Sequence, residues 1–192
     1  MYKSAFLILA VMVAAAPAGS AGAASVEGMG ILHGEDHAFA LIAPEGWVVD
    51  NRSGVSQGLH AVFYPKDQTW TQSPVIAYAR ARTKKGTVRS VADQVRQTVD
   101  RFSERSDTPV KAFLEKIIPL ENGRTAEVYH FTGDRYGSFE AVAYIDEAKT
   151  INFVVLSARD KPTFENALPI FEDLVKSYMV LGDDPSRIDS AD

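Results

Sequence analysis

The chain has 192 residues, 46% of them hydrophobic, a formal net charge of −5 and no cysteine. That length and apolar content suit one domain held by its core alone, since disulfides and a cysteine nucleophile are both excluded. The acidic balance argues against nucleic acid and anionic lipid as partners.

The chain opens "MYKSAFLILAVMVAAAPAGSAGAASVEG". Lys3 precedes an uncharged apolar run, Ser4 to Ala16, which Pro17 ends. Ala21 and Ala23 then stand at an A-x-A spacing. This is the three-part pattern of a secretory signal peptide, and the run is too short for a membrane-spanning helix of roughly 20 residues. Cleavage near Ala23 or Ala24 is expected. No cysteine follows for lipid attachment, so the mature protein is expected in the periplasm or secreted, without stable membrane insertion. The expected layout is a signal peptide at 1–23, one α+β domain at 24–181 and an acidic, small-residue tail at 182–192. Loss of Lys3 takes the net charge from −5 to −6.

Alternation and β-branched or aromatic content predict strands, in chain order, at Gly30–His33, His37–Ala43, Leu59–Tyr64 and Val75–Arg82. Four more follow at Val110–Ile118, Thr125–Phe131, Phe139–Asp146 and Thr150–Ser157. The turn sequences "PEGW", "PKDQ", "ENGR" and "DEAK" separate several of them. The last three strands read as an antiparallel meander. "FEAVAYIDEAKTINFVVL" carries large residues on both alternating faces, so it is expected to be covered on both sides.

A first helix is expected between the fourth and fifth of these strands. Val88, Val91, Val95, Val99 and Phe102 recur at three- and four-residue steps, Ser90 with Asp93 resembles a capping box, and Arg96 can pair with Asp100. A second helix is expected in "KPTFENALPIFEDLVKSYMV", with Phe164, Leu168, Phe171, Leu174, Val175 and Tyr178 as its apolar stripe. Pro169 predicts a break, with Asn166 capping the main helix. Strands and helices in this order predict an α+β fold, a mostly antiparallel sheet of six to eight strands packed between helices.

Three pieces in this order resemble the PsbP-like, or Mog-like, fold family. They are "FALIAPEGWVVD", a strand entering a Pro-x-Gly-Trp turn; the "SVADQVRQTVDRF" helix; and "INFVVLSARDKPTFENALPIFEDLVKSY", a strand, loop and closing helix. The resemblance implies a three-layer sandwich. It also implies a binding or assembly role rather than catalysis, and it brings no catalytic motif to these positions.

Two chemical candidates stand out. In "HGEDH", His33 and His37 bracket Glu35 and Asp36. If Gly34, Glu35 and Asp36 form the hairpin loop, the two imidazoles face each other and a carboxylate completes a divalent-metal site. The alternative is a polar turn with exposed histidines at its ends. His60 and His130 are further histidines that the linear sequence does not place.

The second candidate is "YARARTKKGTVR", where Arg80, Arg82 and Lys84 alternate along one strand face. Trp70, ten residues earlier, either packs on the core or joins them as a contact anchor. The leading expectation is therefore a non-enzymatic binding module. It would present Trp70, Arg80, Arg82 and Lys84 to an exported or envelope protein as an assembly factor, inhibitor or immunity-type protein. The alternatives are a metal-ion or small-ligand carrier built on the His33–His37 loop and, last, a hydrolase. No G-x-S-x-G elbow, H-E-x-x-H helix or Gly-rich phosphate loop is present to support an enzyme. The processing expectation is checked by N-terminal sequencing of the protein from its own cells. Residue Ala24 or Ser25 should come first, and an intact Met1 would refute cleavage.

Overall fold

In a computed structural model, residues 28–106, 109–133 and 139–181 are described. The expected signal peptide and acidic tail lie outside them. The chain begins with a hairpin of β1 (Met29–Gly34) and β2 (His37–Ile42), followed by β3 (Trp47–Asp50), β4 (Val62–Pro65) and β5 (Val75–Thr83). Helix α1 (Val91–Ser103) leads into β6 (Lys111–Pro119), β7 (Thr125–Thr132), β8 (Phe139–Asp146) and β9 (Thr150–Ala158). Helix α2 (Lys161–Lys176) and the short β10 (Met179–Val180) close the described chain.

The strands form a seven-stranded sheet, β3-β4-β5-β9-β8-β7-β6, and a three-stranded sheet, β1-β2-β10. Every pairing is antiparallel. The α+β expectation and the β7–β8–β9 meander are thus observed. Strands β3 and β10 are additions, too short for alternation to reveal. Strand β4, expected from Leu59, begins at Val62, because a 3-10 turn at Val55–Gln57, capped by Gly54 and Gly58, carries Leu59 into the core before the strand starts. The "PEGW" turn closes by a hydrogen bond from the Trp47 amide to the Pro44 carbonyl, and Gly46 takes the positive φ of 78° that the turn requires.

The large sheet has two unlike faces. Ala77 and Ala79 of β5, Ala141 and Ala143 of β8, and Ala158 of β9 share one face with Val154, Leu156 and Ile145. On that floor sit α2, through Phe164, Ala167, Phe171, Leu174 and Val175, and the small sheet, through Leu32, Phe39 and Leu41. The other face carries Ile76, Tyr78, Val142, Tyr144, Ile151, Phe153 and Val155, packed with Val88 and Val91 at the start of α1. All nine residues of β9 are buried, as cover on both faces demands.

Helix α1 starts at the expected capping box: Ser90 Oγ accepts from the Asp93 amide at 3.2 Å and Asp93 Oδ2 from the Ser90 amide at 3.1 Å. Arg96 pairs with Asp93 at 3.5 Å instead of Asp100. Gln94 and Thr98 are the buried residues in the body of the helix, whereas Val95, Val99 and Phe102 are only partly covered. Gln94 Nε2 donates to Thr98 Oγ1 at 3.1 Å, and Thr98 donates to the Gln94 carbonyl at 2.8 Å. Thr98 also hydrogen-bonds Tyr144 in the sheet. A polar seam therefore lies where an apolar stripe was expected.

The second helix corrects the expectation of a break. Asp160, not Asn166, is its N-cap, accepting from the Thr163 amide at 2.8 Å, and Pro162 lies in the first turn, where an amide is dispensable. The helix continues through Pro169, which is exposed.

At the C-terminal end of α2, Tyr178 ties three elements together. Its hydroxyl accepts from Asn152 Nδ2 of β9 at 2.8 Å and donates to Glu147 Oε1 of the β8–β9 turn at 3.0 Å. Arg124 Nε donates to the same Glu147 oxygen at 2.8 Å. Burial, with the nearby Glu147 carboxylate, pushes the Tyr178 phenol well above its ordinary value. Asn152 is 2% exposed, so Tyr178→Phe strands a buried amide. The expected loss is about 2 kcal/mol of unfolding free energy, read by urea denaturation.

Candidate partner-binding face

Strand β5 places Arg80 opposite Phe153 and Arg82 opposite Ile151, so both arginines stand on the α1 side of the sheet. They share one face, as alternation predicted, but that face is not freely solvated. Burial holds both guanidiniums below the ordinary arginine value, and for Arg82 the positive charge of Arg101 adds to this. Both remain cationic at neutral pH. Arg80 is half-buried and engaged within the fold. Arg82 is also half-buried, and its Nη1 is shielded from solvent without a hydrogen-bond partner.

Lys84 belongs to a different arrangement. Its ammonium pairs with Asp146 at the end of β8, and its side chain is only 17% exposed. Arg101, in the last turn of α1, is the cation whose charge acts on Arg82, and it donates from Nη2 to Gln97 Oε1 at 3.4 Å. Nothing in the strand pattern pointed to Arg101. Only its place on the polar side of an amphipathic helix hinted that it would stand free of the core.

Trp70 is 8% exposed and packs with Leu59, Val62, Ile76 and Tyr78. It is a core residue of the connection between β4 and β5, not a contact anchor. The large exposed apolar residues lie elsewhere. Phe113, Leu114 and Ile117 on β6 are 53%, 50% and 57% exposed. Leu114 and Ile117 stand opposite Tyr129 and Glu127, on the α1 side of the sheet. Strand β6 is an edge strand, and it is guarded against pairing with another strand by a bulge at Glu115, by lysines and by Pro119.

The "HGEDH" hairpin turns on two residues, Glu35 and Asp36, rather than three. His37 therefore pairs with Gly34 and His33 with Ala38, which puts the two imidazoles on opposite faces. His33 is exposed, whereas His37 is half-buried and lies against Gly34, with its ring 6.0 Å from that of Phe39. A Cβ on Gly34 would come within 2.4 Å of the His37 ring, so glycine makes room for it. Asp36 accepts from Thr83 Oγ1 at 3.2 Å and pins the hairpin tip to the end of β5, while Glu35 is exposed. His130, on β7, packs edge-on against Phe164 of α2, centroids 5.4 Å apart. Among the described residues no group of three or more His, Asp or Glu is placed to hold a metal ion. The set His33, Glu35, Asp36 and His37 is thus not brought together.

Neither a protein-family model nor a curated protein sequence matches the chain. Solved structures do. Cyanobacterial PsbP (CyanoP) from Synechocystis sp. PCC 6803 matches 86% of this chain and 100% of its own, with 15% identity and a TM-score of 0.52. A point mutant of the protein Mog1 matches 78% of this chain and 93% of its own, with 11% identity and a TM-score of 0.47. The Saccharomyces cerevisiae Ran-binding protein Mog1p matches 81% and 96%, with 9% identity and a TM-score of 0.47. The chain has a PsbP-like α+β fold. No helix among the described residues is long and apolar enough to cross a membrane.

Burial is the main cause that lowers the His37 pKa from its ordinary 6.5, and His33 and His60 add to it against the opposing charge of Asp36. Burial likewise lowers His130. Below about pH 6.5 the unfolded chain takes up protons that the folded state resists, so stability is complete above that value and falls as pH drops through it. Urea midpoints measured from about pH 7.5 down to 5.5 should fall, and His37→Asn should flatten the slope. A slope unchanged by that substitution would refute the assignment.

Proposed function

We propose that the protein is an exported, non-enzymatic binding module that meets an acidic exported or envelope protein on the α1 side of its large sheet, as an assembly factor or inhibitor. The observation that carries this reading is the half-buried Arg82 on the α1 side of an acidic chain, with the like charge of Arg101 acting on it and no acid paired with it among the described residues. Complementary charge on a partner would relieve the like-charge repulsion. Leu114 and Ile117, exposed on the same side of the sheet, add apolar area of the kind found in interface centres.

The signal-type N-terminus supports export. The PsbP-like likeness supports the scaffold and nothing finer. The non-enzymatic reading rests on the sequence, which offers no nucleophile elbow, phosphate loop or cysteine. The carrier alternative is the weaker reading, because the hairpin register turns His33 and His37 to opposite faces.

Tagged protein starting at Ala24, incubated with envelope and secreted fractions of its own cells, should capture one stoichiometric partner. Arg82→Glu with Arg101→Glu should abolish that capture and leave the melting temperature close to that of the unmodified protein. Arg80 is left intact in this test because it is engaged within the fold. Normal capture by the double variant would refute the proposed face.

A further inference from the structure

We propose that the open edge of β1 is a self-association surface, on which β1 of a second copy adds antiparallel about a two-fold axis at Ile31 and joins the two three-stranded sheets into one. This surface is separate from the α1 side of the large sheet, and the inference goes beyond the binding reading above.

The small sheet runs β1-β2-β10, so β1 is paired on one side only. The Ala43 amide donates to the Gly28 carbonyl at 2.7 Å, and the register then runs without a shift from Met29–Ile42 to Gly34–His37. Antiparallel pairs alternate between hydrogen-bonded and non-hydrogen-bonded, so Gly30, Leu32 and Gly34 bond to β2. Met29, Ile31 and His33 therefore turn their N–H and C=O groups to the open edge. Such edges are normally guarded by charge, proline, a bulge or shortness. Edge strand β6 carries a bulge, lysines and Pro119, β3 has four residues and β10 has two. Strand β1 has six residues, Met29 to Gly34, with no bulge, proline, lysine, arginine or acid. Among the described strands it is the long edge without a guard.

A second copy fits this edge by symmetry. The outward groups belong to residues spaced evenly about Ile31, so a two-fold axis there sets Met29 opposite His33 of the second copy and Ile31 opposite its own counterpart. Each such pair exchanges two N–H···O bonds. Leu32 joins the core with Phe39 and Leu41, which puts Met29, Ile31 and His33 on the outer face of the sheet. The two Ile31 side chains meet on that face as a β-branched cross-strand pair. On the inner face Leu32 falls opposite Gly30 of the second copy, a large residue against one without a side chain. A Cβ on Gly30 would come within 2.8 Å of Phe63 and 3.0 Å of Val49, so β1 lies directly over β4 and β3, the rim of the large sheet. Both layers thus end on the side from which the second copy approaches. The chain carries a formal net charge of −5, so copies repel on most approaches. Residues 29 to 34 bring no Asp, Glu, Lys or Arg into the pairing, and the strands meet without that repulsion between them.

The test is sedimentation equilibrium of protein purified from its own cells, from about 1 to about 200 μM, the range in which a small interface associates. The weight-average mass should rise towards twice the monomer value. Over the same range, amide exchange followed by NMR should slow several-fold at Met29, Ile31 and His33. Gly30, Leu32 and Gly34, already bonded to β2, should change little. Ile31→Lys, which sets two ammonium groups against each other at the axis, should raise the dissociation constant about tenfold or more. Ile31→Pro, which removes an outward N–H and no bond to β2, should do the same. Ile42→Lys, exposed on the same outer face but on β2, should leave association unchanged. Arg82→Glu with Arg101→Glu should also leave it unchanged, so failure of the α1-side reading and failure of this one are told apart.

A constant monomer mass across the range overturns the proposal. So does association that survives both Ile31 variants or that slows no exchange at Met29, Ile31 and His33, because another surface then carries it. A loss in Ile42→Lys as large as in Ile31→Lys overturns strand addition in favour of sheets stacked face to face. If Ile31→Pro does not fold, Ile31→Lys and the exchange rates of the unmodified protein carry the comparison.

Discussion

Five alanines, Ala77, Ala79, Ala141, Ala143 and Ala158, decide how this molecule is layered. Side chains of one carbon on three neighbouring strands let Phe164, Phe171 and Leu174 of α2 approach the sheet closely. They leave room beside that helix for Phe39 and Leu41 of the small sheet. The hairpin is then locked from its ends. Asp36 accepts from Thr83 at its tip, and the Ile42 amide donates to Ser177 Oγ at 2.9 Å at its base. Larger side chains on this floor would lift both layers at once, because they share it.

The opposite face has a different character. Tyr78, Tyr144 and Phe153 fill it with large rings, and burial drives the Tyr78 and Tyr144 phenols well above their ordinary value. Helix α1 meets those rings with Gln94 and Thr98, so polar groups are buried at the contact. The Oε1 atom of Gln94 and the Nη1 of Arg82 both end without partners on this side of the sheet. Thr150 Oγ1 and Asn152 Oδ1 end likewise on the alanine side, so unsatisfied groups occur on both faces.

The hairpin shows how one residue of register changes chemistry. A three-residue loop at Gly34, Glu35 and Asp36 would set His33 across from His37. The two-residue turn moves His37 opposite Gly34, and because successive strand residues point to opposite faces, that single step separates the imidazoles. Gly34 then gains a role that its turn chemistry did not suggest, as the bare surface under the His37 ring.

Much of the architecture was legible in the residues. Alternation located the long strands, three- and four-residue spacing located both helices, and the Ser90–Asp93 box marked where α1 begins. The "PEGW" turn and the doubly covered β8 and β9 were also readable, because each depends on local conformation or on a run of apolar residues. Other features were decided by tertiary structure. Whether Trp70 faced solvent, which acid Lys84 would hold and which cation's charge would act on Arg82 depend on residues distant in the chain. Local periodicity gives the direction of a side chain from its own backbone, but not what meets it there. The break expected at Pro169 failed for the same reason: α2 is anchored by Phe164, Phe171 and Leu174 against the sheet, and that packing carries the helix through an exposed proline.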